Sequence, residues 1–171
     1  VNDASGNPNY MVIVLDNSQD KYWESQINPL RASIAKARVL NIPVLVFQHI
    51  PMLTMNPEQP TIYLKSGFSE YATFGTKDNY SEAIDSSNYP GWLGDPNSDA
   101  ATKEVCRIIR QSYDVIKGVF TGHEHANIYS EIAACDAEGN LMYDSGGKLI
   151  TIPQYTQYGS HYGGVMKITI K

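Results

Sequence analysis

The segment from Val115 to His125 reads VIKGVFTGHEH, and its pattern is the main evidence for the fold class. Its opening part, VIKGVFT, is mostly apolar and rich in β-branched and aromatic residues, a composition typical of a buried β-strand. The strand is followed by Gly122, which permits a sharp change of chain direction. His123 and His125 come directly afterwards. The stretch therefore predicts a buried strand that carries two histidines at its carboxyl end.

Upstream of this strand, the pattern predicts a strand, a helix and a second strand. Tyr10 to Leu15 is a continuous apolar run, and residues 28–40 carry apolar residues at helical spacing, with Asn28 as the expected N-cap. Val44 to Phe47 is a second apolar run, and His49 follows it closely. Two buried strands joined by a helix are typical of a right-handed βαβ unit, so we predict an α/β fold.

The remainder of the chain predicts a second helix and a part rich in strands. Residues 100–112 have a helical apolar pattern, and Asp99 or Ser98 is the expected N-cap. Glycine-containing segments within 136–147 are typical of hairpin turns. Further strands are predicted at residues 126–134, 149–152 and 165–170. We therefore expect a mixed sheet that is parallel in its first part and antiparallel in its last part.

Residues 52–97 interrupt this regular pattern and are predicted to form an irregular insertion. They contain four of the nine prolines of the chain, and no periodicity persists among them. Long irregular segments are commonly functional lids or mobile loops. The aromatic side chains of the insertion could line a substrate pocket. We favour the alternative that they form its own small core, because aromatic residues mostly pack.

The composition excludes several classes of protein. The chain is 42% hydrophobic and 18% charged, as in an ordinary globular domain, and its net charge of -5 offers no basic footprint for nucleic acid. Apolar runs such as Met11 to Leu15 are far too short to span a bilayer.

Cys106 and Cys135 are too few for a disulfide scaffold. We expect two buried thiols, and a disulfide between them is the alternative. The composition does not indicate a cellular compartment.

The histidines are the candidate metal ligands. His49 and His123 each follow a predicted buried strand, and ligands bind at the carboxyl ends of strands in open α/β sheets. His123 and His125 are two positions apart, so in an extended segment their side chains point the same way. Ordinary surface or core histidines are the alternative, but the combination of strand, glycine and His-x-His favours metal ligation. His161 lies in a loop rich in Gly and Tyr and is a candidate for substrate contact.

Two blocks of the sequence resemble the calcineurin-like metallophosphoesterases, the family that includes the purple acid phosphatases. VFQHIP at 46–51 resembles the strand-then-His block of the family, and VFTGHEHA at 119–126 resembles its Gly-His-x-His block. The early strand that ends in LDN at 15–17 is similar to the family strand preceding the first block. The resemblance covers most of the chain outside 52–97 and corresponds to the C-terminal half of the family domain.

This resemblance implies a hydrolase of phosphate mono- or diesters that uses a water activated by two divalent or trivalent metal ions. His49 and His123 would bind one ion and His125 the other, and zinc, iron or manganese suits such a site. The resemblance also implies a four-layer α/β/β/α sandwich. Residues 1–171 would then be the C-terminal portion of one metallophosphoesterase domain.

The sequence departs from the family pattern at its amino-terminal side. The family also needs Asp-x-His, Gly-Asp and Gly-Asn-His blocks early in its domain, and none occurs before His49. The bridging carboxylate, the Asn ligand and the acid/base His of the family would then lie in an absent N-terminal half. That half is the expected partner of this chain, beside the phosphate ester substrate. No catalytic acid or base is expected within residues 1–171.

Two other interpretations remain open at this point. The chain could be a catalytically incomplete fragment that acts as a binding or interaction module. In that case no Asp-x-His or Gly-Asn-His block would be encoded upstream of Val1. Alternatively, His49, His123 and His125 could form a mononuclear zinc site, because three protein ligands and a water are a known catalytic zinc arrangement.

We expect the chain to be fully ordered only beside its N-terminal half or through self-association, because half of a layered domain leaves a sheet edge or face bare. Light scattering after size exclusion, combined with urea unfolding, checks this expectation. A monomeric 171-residue product that unfolds cooperatively would contradict it.

Overall fold

The computed structural model describes residues 1–19, 21–52, 98–122, 128–157 and 166–169. The described elements, in chain order, are β1 (Met11–Val14), α1 (Ile27–Leu40), β2 (Val44–Phe47), α2 (Ala100–Arg110), β3 (Ile116–Thr121), β4 (Ile128–Ala133) and β5 (Thr151–Thr156). A short 3₁₀ turn, Glu24–Gln26, leads directly into α1. The predicted insertion at 52–97 lies outside the described residues except for Met52.

The strands form one five-stranded mixed sheet in the order β1-β2-β3-β5-β4. β1, β2, β3 and β5 run parallel to one another, and β4 runs antiparallel to β5. The predicted α/β class and the change from parallel to antiparallel pairing are confirmed. Because four neighbouring strands are parallel, their carboxyl ends lie at the same edge of the sheet, which we call the carboxyl edge.

The predicted helix at 28–40 is confirmed as α1, but the predicted N-cap is wrong. Asn28 is the second residue of the helix, and Gln26 occupies the cap position without a side-chain cap hydrogen bond. The reason is the preceding 3₁₀ turn, which already continues the chain into helical geometry. At the other end, Asn41 adopts the left-handed conformation with φ of 52°. Asparagine tolerates that conformation better than most residues, which favours the end of the helix there.

The second predicted helix is confirmed as α2, and Asp99 is its N-cap. The Asp99 carboxylate accepts the backbone N–H of Thr102 at 3.0 Å and the Thr102 hydroxyl at 2.8 Å. These hydrogen bonds to the charged form lower the pKa of Asp99. The predicted start of this helix is therefore correct, because an Asp at the N-cap is a strong local pattern.

The hydrophobic core lies between one face of the sheet and the two helices. The helices contribute Leu30, Ile34 and Ala37 from α1 and Val105, Ile108 and Ile109 from α2. The strands contribute Val44, Val46, Ile116, Val119, Ile132 and Ile152. Cys106 and Cys135 are both buried thiols and are not joined by a disulfide, as expected. Neither described helix is long and apolar enough to cross a membrane.

The opposite face of the sheet carries a row of aromatic rings. Phe47 stacks on Phe120 with ring centroids 4.9 Å apart, and Phe120 stacks on Tyr155 at 5.4 Å. Tyr129 continues this row at 5.4 Å from Tyr155, and Val14 pairs with Phe47 at the other end. Tyr129 is 52% exposed and Val14 is 75% exposed. This aromatic row therefore crosses four strands, Val14 extends it onto β1, and the face is only partly covered by the described residues.

The C-terminal strands differ from the prediction in two ways. β5 begins at Thr151 and continues through Pro153, where the sequence pattern suggested an end. Proline is tolerated because the pairing of β5 with β3 starts only at Gln154. The strand predicted at 165–170 is wrong for residues 166–169, which form no strand. These residues instead line a cavity of about 430 Å³ together with side chains of the aromatic row.

The hairpin turns predicted within 136–147 are confirmed. Antiparallel bridges join Cys135 to Leu141 and Tyr143 to Leu149 across the two turns. Gly139 has φ of 91°, in the left-handed region that favours glycine. A similar Asp-x-x-Gly sequence turns the chain near the amino terminus, where the Gly6 N–H donates to the Asp3 carbonyl. The turn geometry thus follows from the local sequence.

The core predicts a sharp contrast between two positions of α1. Ile34 is 2% exposed and packs in the core, whereas Val39 is 85% exposed on the same helix. We expect Ile34→Ala to lower the free energy of unfolding by about 2–5 kcal/mol, because it leaves a cavity. Val39→Ala is the matched control and should change that free energy by less than about 0.5 kcal/mol. Urea unfolding of both variants checks the difference, and equal losses would contradict this packing.

Candidate functional site

The carboxyl edge is held together by hydrogen bonds between the ends of neighbouring strands. The Asn17 carboxamide, beyond β1, accepts the backbone N–H of His49, beyond β2, at 3.0 Å. The His49 carbonyl accepts the backbone N–H of Gly122, beyond β3, at 2.8 Å. The Thr121 carbonyl in turn accepts the N–H of Gln157, beyond β5, at 2.9 Å. The residues that follow these four strands therefore form one continuous group.

His49 lies at this edge as predicted. Its side chain is exposed, while the residues on either side of it, Gln48 and Ile50, are buried. The imidazole Nδ1 lies 3.7 Å from the position that a Cβ atom on Gly122 would occupy. The ring of His49 is thus a close neighbour of the residue that opens the Gly-His-x-His block.

The other predicted site residues, His123, His125 and His161, lie outside the described residues. Their convergence with His49 on metal ions therefore stays a prediction. Within the described ranges, no three His, Cys, Asp or Glu side chains are grouped so that they could hold a metal ion. The described part of the predicted ligand set is His49 alone.

Three buried amide side chains hold the segment that carries His49. These are Asn17 and Gln154, both 0% exposed, and Gln48, 8% exposed. Asn17 accepts the N–H groups of His49 and Ile50 at 3.0 Å and donates to the Ile50 carbonyl at 2.9 Å. Gln48 donates to the same carbonyl at 2.8 Å. Side-chain amides thereby bond the N–H groups of His49 and Ile50 and the Ile50 carbonyl, while the Gln48 N–H and the His49 carbonyl bond the backbone at the end of β3.

The far end of the same segment is fixed by β5. Gln154 accepts the backbone N–H of Met52 and donates to the Met52 carbonyl, both at 2.9 Å. Its amide also donates to the Ser130 hydroxyl on β4 at 3.2 Å. Residues 48–52, which we call the His49 segment, are therefore tied to β1 at one end and to β5 at the other.

Tyr22 connects the His49 segment to the start of α2. Its hydroxyl donates to the Gln48 carboxamide oxygen at 2.6 Å, and its backbone N–H donates to the Thr102 hydroxyl at 2.9 Å. Tyr22 is 1% exposed, and this burial raises the pKa of its phenol well above 10.0. The phenol thus stays protonated and serves as a hydrogen-bond donor inside the site.

A hydroxyl pair lies below the ends of β3 and β5. The Thr121 and Thr156 hydroxyl oxygens are 2.8 Å apart, and both residues are buried. Thr121 directly precedes Gly122, so this pair fixes the end of β3 at the residue before the Gly-His-x-His block begins.

The buried amides that support His49 were not predicted from the sequence. Asn17 and Gln48 were noted only as residues at strand ends, and Gln154 was placed beyond the predicted end of its strand. A usable signal exists, because amide side chains at the ends of apolar strands must find partners if they are buried. Which partners they find depends on strands that are distant in the sequence.

Of the predicted ligands, the structure describes the position of His49 at the carboxyl edge. An exposed imidazole on a fixed main chain at the carboxyl edge offers one neutral nitrogen donor of the kind that zinc and iron accept. No protein-family model matches the chain, and a search of curated proteins finds no match either. The chemistry assigned to this edge therefore rests on the residues themselves.

The Tyr22 hydroxyl should contribute strongly to stability. Tyr22→Phe leaves the buried Gln48 oxygen without this donor, so we expect a loss of about 1–3 kcal/mol in the free energy of unfolding. Tyr143→Phe is the matched control, because Tyr143 is 47% exposed, and it should cost less than about 0.5 kcal/mol. Urea unfolding near neutral pH measures both values. Similar values for the two variants would argue against the buried hydrogen bond.

The raised pKa of Tyr22 also predicts a pH dependence. The unfolded chain loses the phenol proton near the ordinary tyrosine pKa of about 10, whereas the folded protein keeps it to higher pH. The stability that this group provides is complete below about pH 10 and is lost as the pH rises towards the folded pKa. As the pH rises from about 8 to 11, the urea midpoint of the unsubstituted protein should therefore fall more steeply than that of Tyr22→Phe. Parallel curves would rule this contribution out.

Proposed function

We propose that this chain supplies His49, His123 and His125 to a metal site that hydrolyses phosphate mono- or diesters, as the C-terminal portion of a calcineurin-like metallophosphoesterase domain. One observation carries the proposal. The His49 imidazole lies beside Gly122, so the two blocks that resemble the family adjoin at the carboxyl edge. Ligand sites occur at this edge in open α/β sheets.

Chain connectivity supports the participation of His123 and His125. His123 directly follows Gly122 in the sequence, and the backbone N–H of Gly122 donates to the His49 carbonyl. On the other side, Ile128 pairs with Thr156, and Thr156 pairs with Thr121 at the end of β3. Both described residues that flank the segment 123–127 therefore belong to the same edge of the sheet.

The proposed cofactors are two divalent or trivalent metal ions, such as zinc, iron or manganese. Three neutral imidazoles suit these ions, although they do not offset the repulsion between two neighbouring cations. Bound ions would supply an activated water and neutralise charge on the phosphoryl oxygens. In this chain, the role of the protein is to hold the imidazoles in place. His161, four residues after Gln157 in the sequence, is the proposed substrate contact.

The proposed partner is the N-terminal half of the same domain, which would supply the bridging carboxylate and the acid/base histidine. The aromatic row supports a second layer over the sheet, because Tyr129 and Val14 leave large apolar side chains in contact with solvent. Two sheets that pack face to face bury such side chains between them. This arrangement would complete the proposed four-layer α/β/β/α sandwich.

The test is an assay of the protein extended by whatever its coding sequence supplies upstream of Val1. A chromogenic phosphate ester with added manganese or zinc serves as the substrate. We expect His123→Ala to lower kcat at least about 100-fold, because even residues that merely orient metal ligands cost 10–100-fold. Glu138→Ala, at an exposed turn, is the control and should leave the rate unchanged.

An unchanged rate in His123→Ala would contradict the proposed function. If the upstream sequence contains no Asp-x-His or Gly-Asn-His block and the protein is inactive, the chain would instead be a binding or interaction module. If the 171-residue chain alone binds one equivalent of zinc and His49→Ala abolishes this binding, the mononuclear site is favoured.

A further inference from the structure

We infer that Asn17 is a positioning residue for His49, and that its buried carboxamide sets the metal affinity of the site by fixing the main chain on which the imidazole stands. The inference rests on the proposed function, because it assumes that His49 is a metal ligand. It adds a residue that lies outside both sequence blocks resembling the family.

The Asn17 side chain makes three hydrogen bonds to the main chain of His49 and Ile50. Its oxygen accepts both consecutive backbone N–H groups at 3.0 Å, and its nitrogen donates to the Ile50 carbonyl at 2.9 Å. A carboxamide offers two acceptor sites and two donors, so both acceptor sites and one donor are used here. The residue is 0% exposed, which makes these hydrogen bonds costly to lose.

The two backbone polar groups of His49 are fixed from opposite sides. Asn17 holds its N–H group, and the backbone of Gly122 holds its carbonyl group. With both peptide groups fixed, the direction of the His49 Cα–Cβ bond is also fixed, and the exposed ring extends from a set point. A metal ligand must be held within about 0.5 Å of its productive position. Asn17 therefore acts on the ligand through its main chain.

The chemistry at position 17 requires an amide. A carboxylate in this place could accept the two N–H groups, but it would face the Ile50 carbonyl without a donor. An aliphatic side chain would leave the N–H groups of His49 and Ile50 buried without acceptors, and a shift of the His49 segment would be needed to hydrate them. Either change displaces the imidazole relative to Gly122.

The experiment is a double-mutant cycle in the protein used for the hydrolase assay, with Co²⁺ as the probe. Binding is followed by the visible absorption of histidine-ligated Co²⁺. We expect Asn17→Ala to raise the Kd for Co²⁺ at least about tenfold, as for other residues that orient metal ligands. In the His49→Ala background, the same substitution should leave the Kd unchanged, because Asn17 acts through His49.

Two further variants keep the test decisive. Ser112→Ala removes a buried hydrogen bond of 2.7 Å to the Ile108 carbonyl, at the end of α2. It should lower the urea midpoint without changing the Kd. If Asn17→Ala does not fold, Asn17→Ser takes its place in the cycle, since its hydroxyl can still accept one N–H group. We then expect Asn17→Ser to weaken Co²⁺ binding less than His49→Ala does. This loss of affinity should occur only when His49 is present.

The outcomes separate the two claims. If His49→Ala weakens Co²⁺ binding and the substitution of Asn17 does not, the inference is wrong and the proposed function stands. An equal loss of affinity from the Asn17 substitution in both backgrounds also overturns the inference, because the effect would then be general destabilisation. If neither substitution changes Co²⁺ binding, His49 is not a ligand, and both the proposed function and the inference fail.

Discussion

The parallel pairing of β1, β2, β3 and β5 sets the geometry of the sheet and of the candidate site. It brings four strand ends to one edge, where the backbone leaves the ladder and its N–H and C=O groups need new partners. Water is largely excluded there, since Asn17, Ile50, Thr121 and Gln154 are all buried. The protein meets this need with side-chain amides and hydroxyls, because an unpaired buried polar group costs about 1–3 kcal/mol. The edge is consequently rigid and polar beneath an exposed histidine.

This arrangement links the stability of the fold to the geometry of the candidate site. The amide of Gln48 and the phenol of Tyr22 extend the hydrogen-bond network to Thr102 and thus to the first turn of α2. The network holds residues 48–52 from three directions, through β1, β5 and the start of α2. A ligand on such a segment needs little reorganisation when it binds, which is the property that a metal site requires of its donors.

The two faces of the sheet differ in a way that bears on the proposed partner. One face is closed by α1 and α2 around fully buried aliphatic side chains. The other presents the aromatic row, in which Phe47, Phe120 and Tyr155 are only partly buried. Exposed rings on a sheet face are costly in water and are commonly covered by another layer. The proposed sandwich places the N-terminal half there, and the same half would bring the ligands that the sequence lacks.

Elements with local signals could be predicted from the amino-acid sequence. Apolar runs gave the strands, the helical spacing gave α1 and α2, Asp99 gave a cap, and the glycine turns gave the hairpins. It also placed His49 at a strand end, whereas the roles of His123, His125 and His161 remain predictions. Only the tertiary structure decided that Asn28 does not cap α1, that β5 passes through Pro153 and that residues 166–169 lie outside the sheet. It alone also showed that Asn17 and Gln154 hold the His49 segment. The physical reason is distance along the chain: these amides bond to main-chain groups 33 and 102 residues away, and no local pattern encodes such partners.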